Sequence, residues 1–241
     1  MLERIGLQRI PLVTGHRGAA GIKPENTRSA FQYAADIGCD GVELDIHVTA
    51  DMVPVVSHDP AVSDGEEQLV IRETHSRIVT ALPAGRGETI PALRDVFEIL
   101  EPTRLYIQIE LKGEDTVHPA VELVRSFSME HRVIFTSFIH KRVLRAKELL
   151  PSVRTGVLLS CVPVCLVKVA HQAYADNIHL DHRRITRDIV DQVHRCGKAL
   201  AAWGKIKGTA DFDRLFDLEV DMIGSDWPDE LLARRKEYFK G

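Results

Sequence analysis

Short apolar runs rich in β-branched residues alternate along almost the whole chain with stretches whose apolar positions recur at helical spacing. The runs that read as strands are 11–15, 41–47, 104–112, 133–136, 155–159, 177–180, 199–203 and 221–225. A further run at 53–57 follows the second strand after a turn at 49–52. That interval is too short for a crossover helix, so the run returns as a hairpin partner. Amphipathic stretches at 26–37, 92–100, 117–127, 141–150 and 187–196 predict helices between the strands. In 141–150, Val143, Leu144, Ala146, Leu149 and Leu150 share one stripe, and Pro151 ends it.

Eight strand–helix units in 241 residues predict an α/β fold, a (β/α)₈ barrel, which needs roughly 250 residues. An open doubly wound sheet is the alternative, but no Gly-rich phosphate-binding turn follows any strand. No Ser/Gly/Pro linker divides the chain, so it reads as a single domain over 1–241 with an insertion at about 59–90. Hydrophobic residues make up 44% of the sequence, and at this length they fill a core without a metal or disulfide staple. The formal charge of -4 comes from 31 basic and 35 acidic residues with no long block of either sign, which argues against a nucleic-acid partner.

No export or membrane signal is visible: Glu3, Arg4, Gln8 and Arg9 interrupt the N-terminus. The most apolar stretch, 157–170, is broken by Ser160, Pro163 and Lys168 and is too short for stable membrane insertion. It reads as a strand end running into a buried helix. The four cysteines, Cys39, Cys161, Cys165 and Cys196, lack zinc-site spacing and read as buried reduced thiols of a cytoplasmic protein. Self-association into a homo-oligomer stays open.

Strands of a parallel barrel are covered on both faces, so charges at their ends are informative. The first strand runs into Gly15-His16-Arg17-Gly18. The second places Glu43, Asp45 and His47 on one face, and the third does the same with Gln108, Glu110 and Lys112. The hairpin strand ends in Ser57-His58-Asp59, the seventh at Trp203 and the eighth at Ser225-Asp226-Trp227. In a barrel these ends converge on one rim. Taken singly, each residue has a structural explanation, such as an ion pair of Arg17 with Glu43 or of Lys112 with Glu110. Taken together, three carboxylates call for a cation, because burying them side by side is costly. All-oxygen ligation suits Mg²⁺ or Ca²⁺. A metal beside Arg17 and Lys112 favours a phosphate, and two histidines supply the base and the acid of a phosphodiester cleavage.

These residues resemble the glycerophosphodiester phosphodiesterases. The resemblance rests on His16-Arg17-Gly18, Pro24-Glu25-Asn26-Thr27, Glu43-Leu44-Asp45, Thr49, Asp51, His58-Asp59, Ile90-Pro91-Ala92-Leu93 and Ile109-Glu110-Leu111-Lys112. Ser137-Phe138, Ala202-Trp203 and Ser225-Asp226-Trp227-Pro228 follow in the same order. The resemblance implies a TIM barrel that hydrolyses small glycerophosphodiesters to glycerol 3-phosphate and an alcohol with a divalent metal ion. It implies His16 as proton acceptor, His58 as proton donor, and Glu43, Asp45 and Glu110 as metal ligands. Arg17 and Lys112 match phosphate-holding positions, and Trp203 is a candidate substrate contact. Glu25 and Asn26 match a turn shared between loop ordering and the rim, and Thr27 is a candidate helix cap.

The chain departs from the family pattern at Met52, across 60–89, and at Gly204-Lys205-Ile206, where Lys205 is a candidate phosphate contact. The 60–89 segment reads as an acidic turn (Asp64, Gly65, Glu66, Glu67), a short strand and a loop containing Pro and Gly. Three competing functions remain. A lysophospholipase D would hold an acyl chain on Trp203, Trp227 and Phe138. A phosphate-binding module without turnover would not need both histidines. Schiff-base chemistry at Lys112 is disfavoured by neighbouring Glu110, which keeps the amine protonated.

Overall fold

The computed structural model describes residues 4–5, 8–63 and 65–240. Two short antiparallel strands, β1 (Arg4–Ile5) and β2 (Gln8–Arg9), precede the barrel. The barrel opens with β3 (Leu12–Gly15), α1 (Arg28–Asp36) and β4 (Gly41–Val48), and β5 (Pro54–Val56) returns antiparallel on β4. The inserted segment holds β6 (Ala61–Ser63), β7 (Gln68–Val70), α2 (Ser76–Val79), β8 (Pro83–Gly85) and β9 (Glu88–Thr89). Strands and helices then alternate: α3 (Leu93–Leu100), β10 (Tyr106–Leu111), α4 (Val117–Ser126), β11 (Val133–Ser137), α5 (His140–Leu149) and β12 (Arg154–Leu159). The last units are α6 (Leu166–Gln172), β13 (Asn177–Asp181), α7 (Arg187–Arg195), β14 (Ala199–Trp203), α8 (Thr209–Asp217), β15 (Met222–Ser225) and α9 (Pro228–Tyr238).

Eight parallel strands run in the order β3, β4, β10, β11, β12, β13, β14, β15, and β15 pairs back onto β3 to close the ring. This is the (β/α)₈ barrel that the strand–helix rhythm predicts. Period two sorts each strand. In β4, Val42, Leu44 and Ile46 join the main apolar core, while Glu43, Asp45 and His47 take the alternate positions. The core between sheet and helices includes Phe31, Phe97, Phe135, Phe212 and Phe216, all fully buried. Buried Asp221, reached by Arg9 and His194 side chains, ties the N-terminal ends of the last strands together, away from the strand ends that carry chemistry.

Two elements differ from the sequence pattern. Helix α1 starts at Arg28 instead of residue 26, because Thr27 is extended and its hydroxyl caps the Ala30 N–H. The 60–89 segment holds two hairpins around a small apolar cluster of Val55, Ile71, Val79, Leu82 and Ile90 instead of one strand and a loop. The second hairpin turns through Arg86 and Gly87, both at positive φ, a geometry that fits a two-residue turn. Asp64, in the acidic turn, lies outside the described residues, as do Met1, Leu2 and Glu3 at the N-terminus.

Only Cys39 is buried; Cys161, Cys165 and Cys196 are exposed. The first two of these sit on the loop between β12 and α6, and the third lies just past α7. On that same loop Val162 and Val164 are exposed, and burial resumes at Leu166, Val167 and Ala170 of α6.

Candidate active site

The C-terminal strand ends surround a cavity of about 540 Å³. Its wall includes His16, Arg17, Glu43, His58, Glu110 and Lys112, and Trp203 also lines it. Of the candidate acid, base, phosphate-holding and carboxylate side chains, all but Asp45 line this cavity, and Asp45 sits directly behind the wall in contact with Arg17 and Lys112.

The turn after β3 aims two of these residues. The His16 N–H donates to the Ser225 carbonyl at 3.0 Å, joining the first strand's end to the last. Arg17 and Gly18 then both take positive φ, reversing the chain. Only glycine fits at the second position, where a Cβ would lie 2.7 Å from the backbone of Ala30. The reversal points the Arg17 N–H at Glu43 Oε2, at 3.0 Å. The Arg17 guanidinium reaches Glu25 Oε1 at 2.6 Å, and its Nε stands 3.2 Å from Asp45 Oδ2 as an ion-pair contact without hydrogen-bond alignment.

Glu43, Asp45 and Glu110 each bring one carboxylate oxygen within 4.8 Å of the others. Lys112 Nζ lies 3.6 Å from Asp45 Oδ1 and 3.7 Å from Glu110 Oε1. Asn26 holds Asp45 from both sides: its Nδ2 donates to Oδ2 at 3.0 Å and its Oδ1 accepts the Asp45 N–H at 3.4 Å. The shared turn therefore divides its work, with Glu25 on Arg17, Asn26 on Asp45 and Thr27 on the helix. Burial, followed by the charge of Asp45, holds both Glu43 and Glu110 well above the usual carboxylate range. Lys112 and Arg17 offset only part of that rise at Glu110, and the His16 charge and the Arg17 N–H only part of it at Glu43. A buried, all-oxygen, mutually repelling donor set is what a hard divalent ion fits.

His16 Nδ1 donates to Asp226 Oδ1 at 2.5 Å, which leaves Nε2 without that proton, 3.8 Å from Glu43 Oε2. Burial works against a charged imidazole here, but the Asp226 bond and the Glu43 charge outweigh it, so the His16 pKa is raised. Asp226 was visible at the end of the eighth strand, yet its pairing with the first strand exists only once the ring closes. His58 pairs through Nδ1 with Asp59 Oδ1 at 2.7 Å. Its backbone carbonyl accepts a hydrogen bond from His47 Nε2 at 3.3 Å. Burial lowers the His47 pKa, favouring the neutral ring. The alternation in β4 put His47 on the carboxylate face without showing that it reaches the hairpin backbone.

Trp203 Nε1 donates to the His179 carbonyl at 3.2 Å, and Phe138 meets the Trp203 ring edge-on with centroids 5.3 Å apart. Lys205 lines the cavity, while Lys207 stands 4.0 Å over the Trp227 ring.

The closed barrel gathers imidazole, carboxylate and cationic side chains at its C-terminal rim, and its similarity to known proteins makes it a hydrolase of phosphoric diesters. The sequence profile of the glycerophosphoryl diester phosphodiesterase family matches residues 16–230, and the chain belongs to that family. A glycerophosphodiester phosphodiesterase of Caldanaerobacter subterraneus is 30% identical over 236 residues, covering 92% of this chain and 96% of that one. A phosphodiesterase of Oleispira antarctica, solved with the product sn-glycerol-3-phosphate, superposes with a TM-score of 0.87 at 24% identity over 93% of this chain and 96% of its own. A lysophospholipase D of Mus musculus is 34% identical over 134 residues, covering 50% of this chain and 43% of that protein.

The raised carboxylates make the metal-free protein's stability depend on pH. A carboxyl whose folded pKa exceeds its unfolded value of 4.5 contributes most below that pH and loses the contribution as pH rises through the folded pKa. The metal-free melting temperature is therefore expected to fall from pH 5 to pH 8. Mg²⁺ or Ca²⁺ at a hundredfold excess over Kd should raise it by about 5–10 °C at pH 8 and by less at pH 5. Differential scanning fluorimetry checks this, and the cation effect should vanish in Glu43→Gln.

Proposed function

We propose that this protein hydrolyses small glycerophosphodiesters to glycerol 3-phosphate and an alcohol, with His16 and His58 as base and acid beside a divalent metal ion. One observation carries the reading: both imidazoles, two fixed cations and two of the three clustered carboxylates line a single cavity, with Asp45 directly behind its wall. Glu43, Asp45 and Glu110 would hold the metal, Mg²⁺ or Ca²⁺, whose chemistry is to polarise a phosphoryl oxygen. Arg17 and Lys112 bind the remaining phosphoryl oxygens and stabilise the charge that develops on them.

His16 Nε2 takes a proton from the attacking oxygen, either the vicinal 2-hydroxyl of the glycerol or a water. Asp226 holds the ring in the tautomer that leaves Nε2 free and stabilises the imidazolium that forms. The new P–O bond forms as the bond to the alcohol breaks, and His58 gives its proton to the departing oxygen. When the 2-hydroxyl attacks, the product is a cyclic phosphate; water then opens it, with the histidines exchanging roles. His47 fixes the backbone beneath His58.

A second reading, lysophospholipase D action, draws on the rim. Phe138 and Ile139 after β11, and Val162 and Val164 after β12, are large apolar residues left exposed on adjacent loops. Assaying lysophosphatidylcholine against glycerophosphocholine separates the two, with faster turnover of the lipid favouring the second.

Glycerol 3-phosphate release is expected from a panel of glycerophosphodiesters, lost on chelation and restored by Mg²⁺ or Ca²⁺. No release from any member with metal present contradicts the reading. His16→Ala and His58→Ala should lower kcat by roughly 10²–10⁴-fold and leave the thermal shift by metal in place. Asp226→Asn removes the charge that raises the His16 pKa. Its rising limb in kcat/KM against pH should therefore move to lower pH while the plateau falls at least tenfold.

A further inference from the structure

The cavity wall built by β12, β13 and β14 is apolar or small with one exception. The register sets Leu158 beside His179 and His179 beside Ala201, and all three line the cavity. His179 is 1% exposed, and Nε2 is buried with no hydrogen-bond partner among the described residues. Gly156 makes its seat, because a Cβ there would lie 2.6 Å from the imidazole Cδ2 and Nε2. Leaving a buried ring nitrogen without a partner costs free energy that an apolar side chain would avoid. Burial pushes the His179 pKa down to about 4, so the ring is neutral at physiological pH. A neutral imidazole offers one donor and one acceptor, which matches a hydroxyl better than an ionised group.

The topology says which part of the substrate meets it. β13 is the sixth barrel strand and stands across the ring from β4, the second, whose hairpin leads to His58. In-line displacement puts the attacking and leaving oxygens on opposite sides of phosphorus. When the glycerol 2-hydroxyl is the attacking oxygen, the alcohol that departs beside His58 points away from β13, and the retained glycerol points towards it. Its vicinal hydroxyl stays near phosphorus and His16, and its terminal hydroxyl reaches further.

We propose that His179, seated on Gly156, is a specificity-determining residue that hydrogen-bonds the terminal hydroxyl of the substrate's glycerol moiety. The inference rests on the glycerophosphodiesterase reading above. It assigns the pocket to an uncharged polyol end and gives the departure from an all-apolar wall a purpose.

The test compares kcat/KM for glycerophosphocholine and for 2-hydroxypropyl phosphocholine, which keeps the vicinal hydroxyl and lacks only the terminal one. The wild type should prefer glycerophosphocholine by about 10- to 100-fold. In His179→Leu the preference should collapse towards unity, mainly through KM, and His179→Asn should restore part of it. Gly156→Ala, which crowds the ring from behind, should lower the preference as well and serves where His179→Leu fails to fold. An unchanged preference in His179→Leu overturns the inference and leaves the imidazole a packing role. Failure of the wild type to cleave either substrate contradicts the hydrolase reading itself, an outcome distinct from cleavage of both at equal rates, which refutes only the role of His179.

Discussion

Three carboxylates crowded within 4.8 Å in a buried wall are the constraint around which the rim is arranged. Left alone, such a cluster resists ionisation, and both Glu43 and Glu110 show it. The surrounding contacts act against that resistance. The Arg17 N–H meets Glu43, Asn26 clamps Asp45, and Lys112 stands between Asp45 and Glu110. None of these partners neutralises the set, because Arg17 is shared with Glu25 and Lys112 with two acids. The remaining negative charge is the property that would favour a hard cation in the site proposed above.

The barrel makes this arrangement affordable in structural terms. The carboxylates come from adjacent strands β4 and β10, whose register sets Glu110 beside Asp45 and Gln108 beside Glu43. Rigid strands, not loops, therefore hold the carboxylates, and alternate residues of the same strands anchor them in the apolar core. The two histidines sit instead on the connections that follow β3 and β5. Each is steadied by a partner from elsewhere, Asp226 at the ring closure for His16 and His47 on β4 for the backbone of His58.

Much of this was legible in the sequence, for a physical reason. Period two in strands with both faces covered makes Glu43, Asp45 and Glu110 stand out, and strand–helix alternation over the chain leaves few folds other than a barrel. What stayed hidden depends on closure or on packing between distant segments. The His16–Asp226 pair spans the first and last strands, which meet only in the finished ring. His179, one polar residue within a strand, drew no attention in the sequence, and its isolation emerges only when Gly156 is seen beneath it. The inserted hairpins escaped because their strands are two or three residues long, too short for a pattern. The exposed thiols escaped because burial of a cysteine depends on the loop that carries it.

In the function proposed above, the carboxylate cluster is a cation site whose crowded acids stay partly protonated until the cation arrives. Isothermal titration calorimetry of the protein with Mg²⁺ and Ca²⁺ near pH 7, in two buffers of different ionisation enthalpy, measures it directly. Saturable binding of at least one cation, with protons released on binding and both effects lost in Glu43→Gln, is the predicted result. No saturable binding of either ion, or binding that releases no protons and is indifferent to Glu43, would contradict the account.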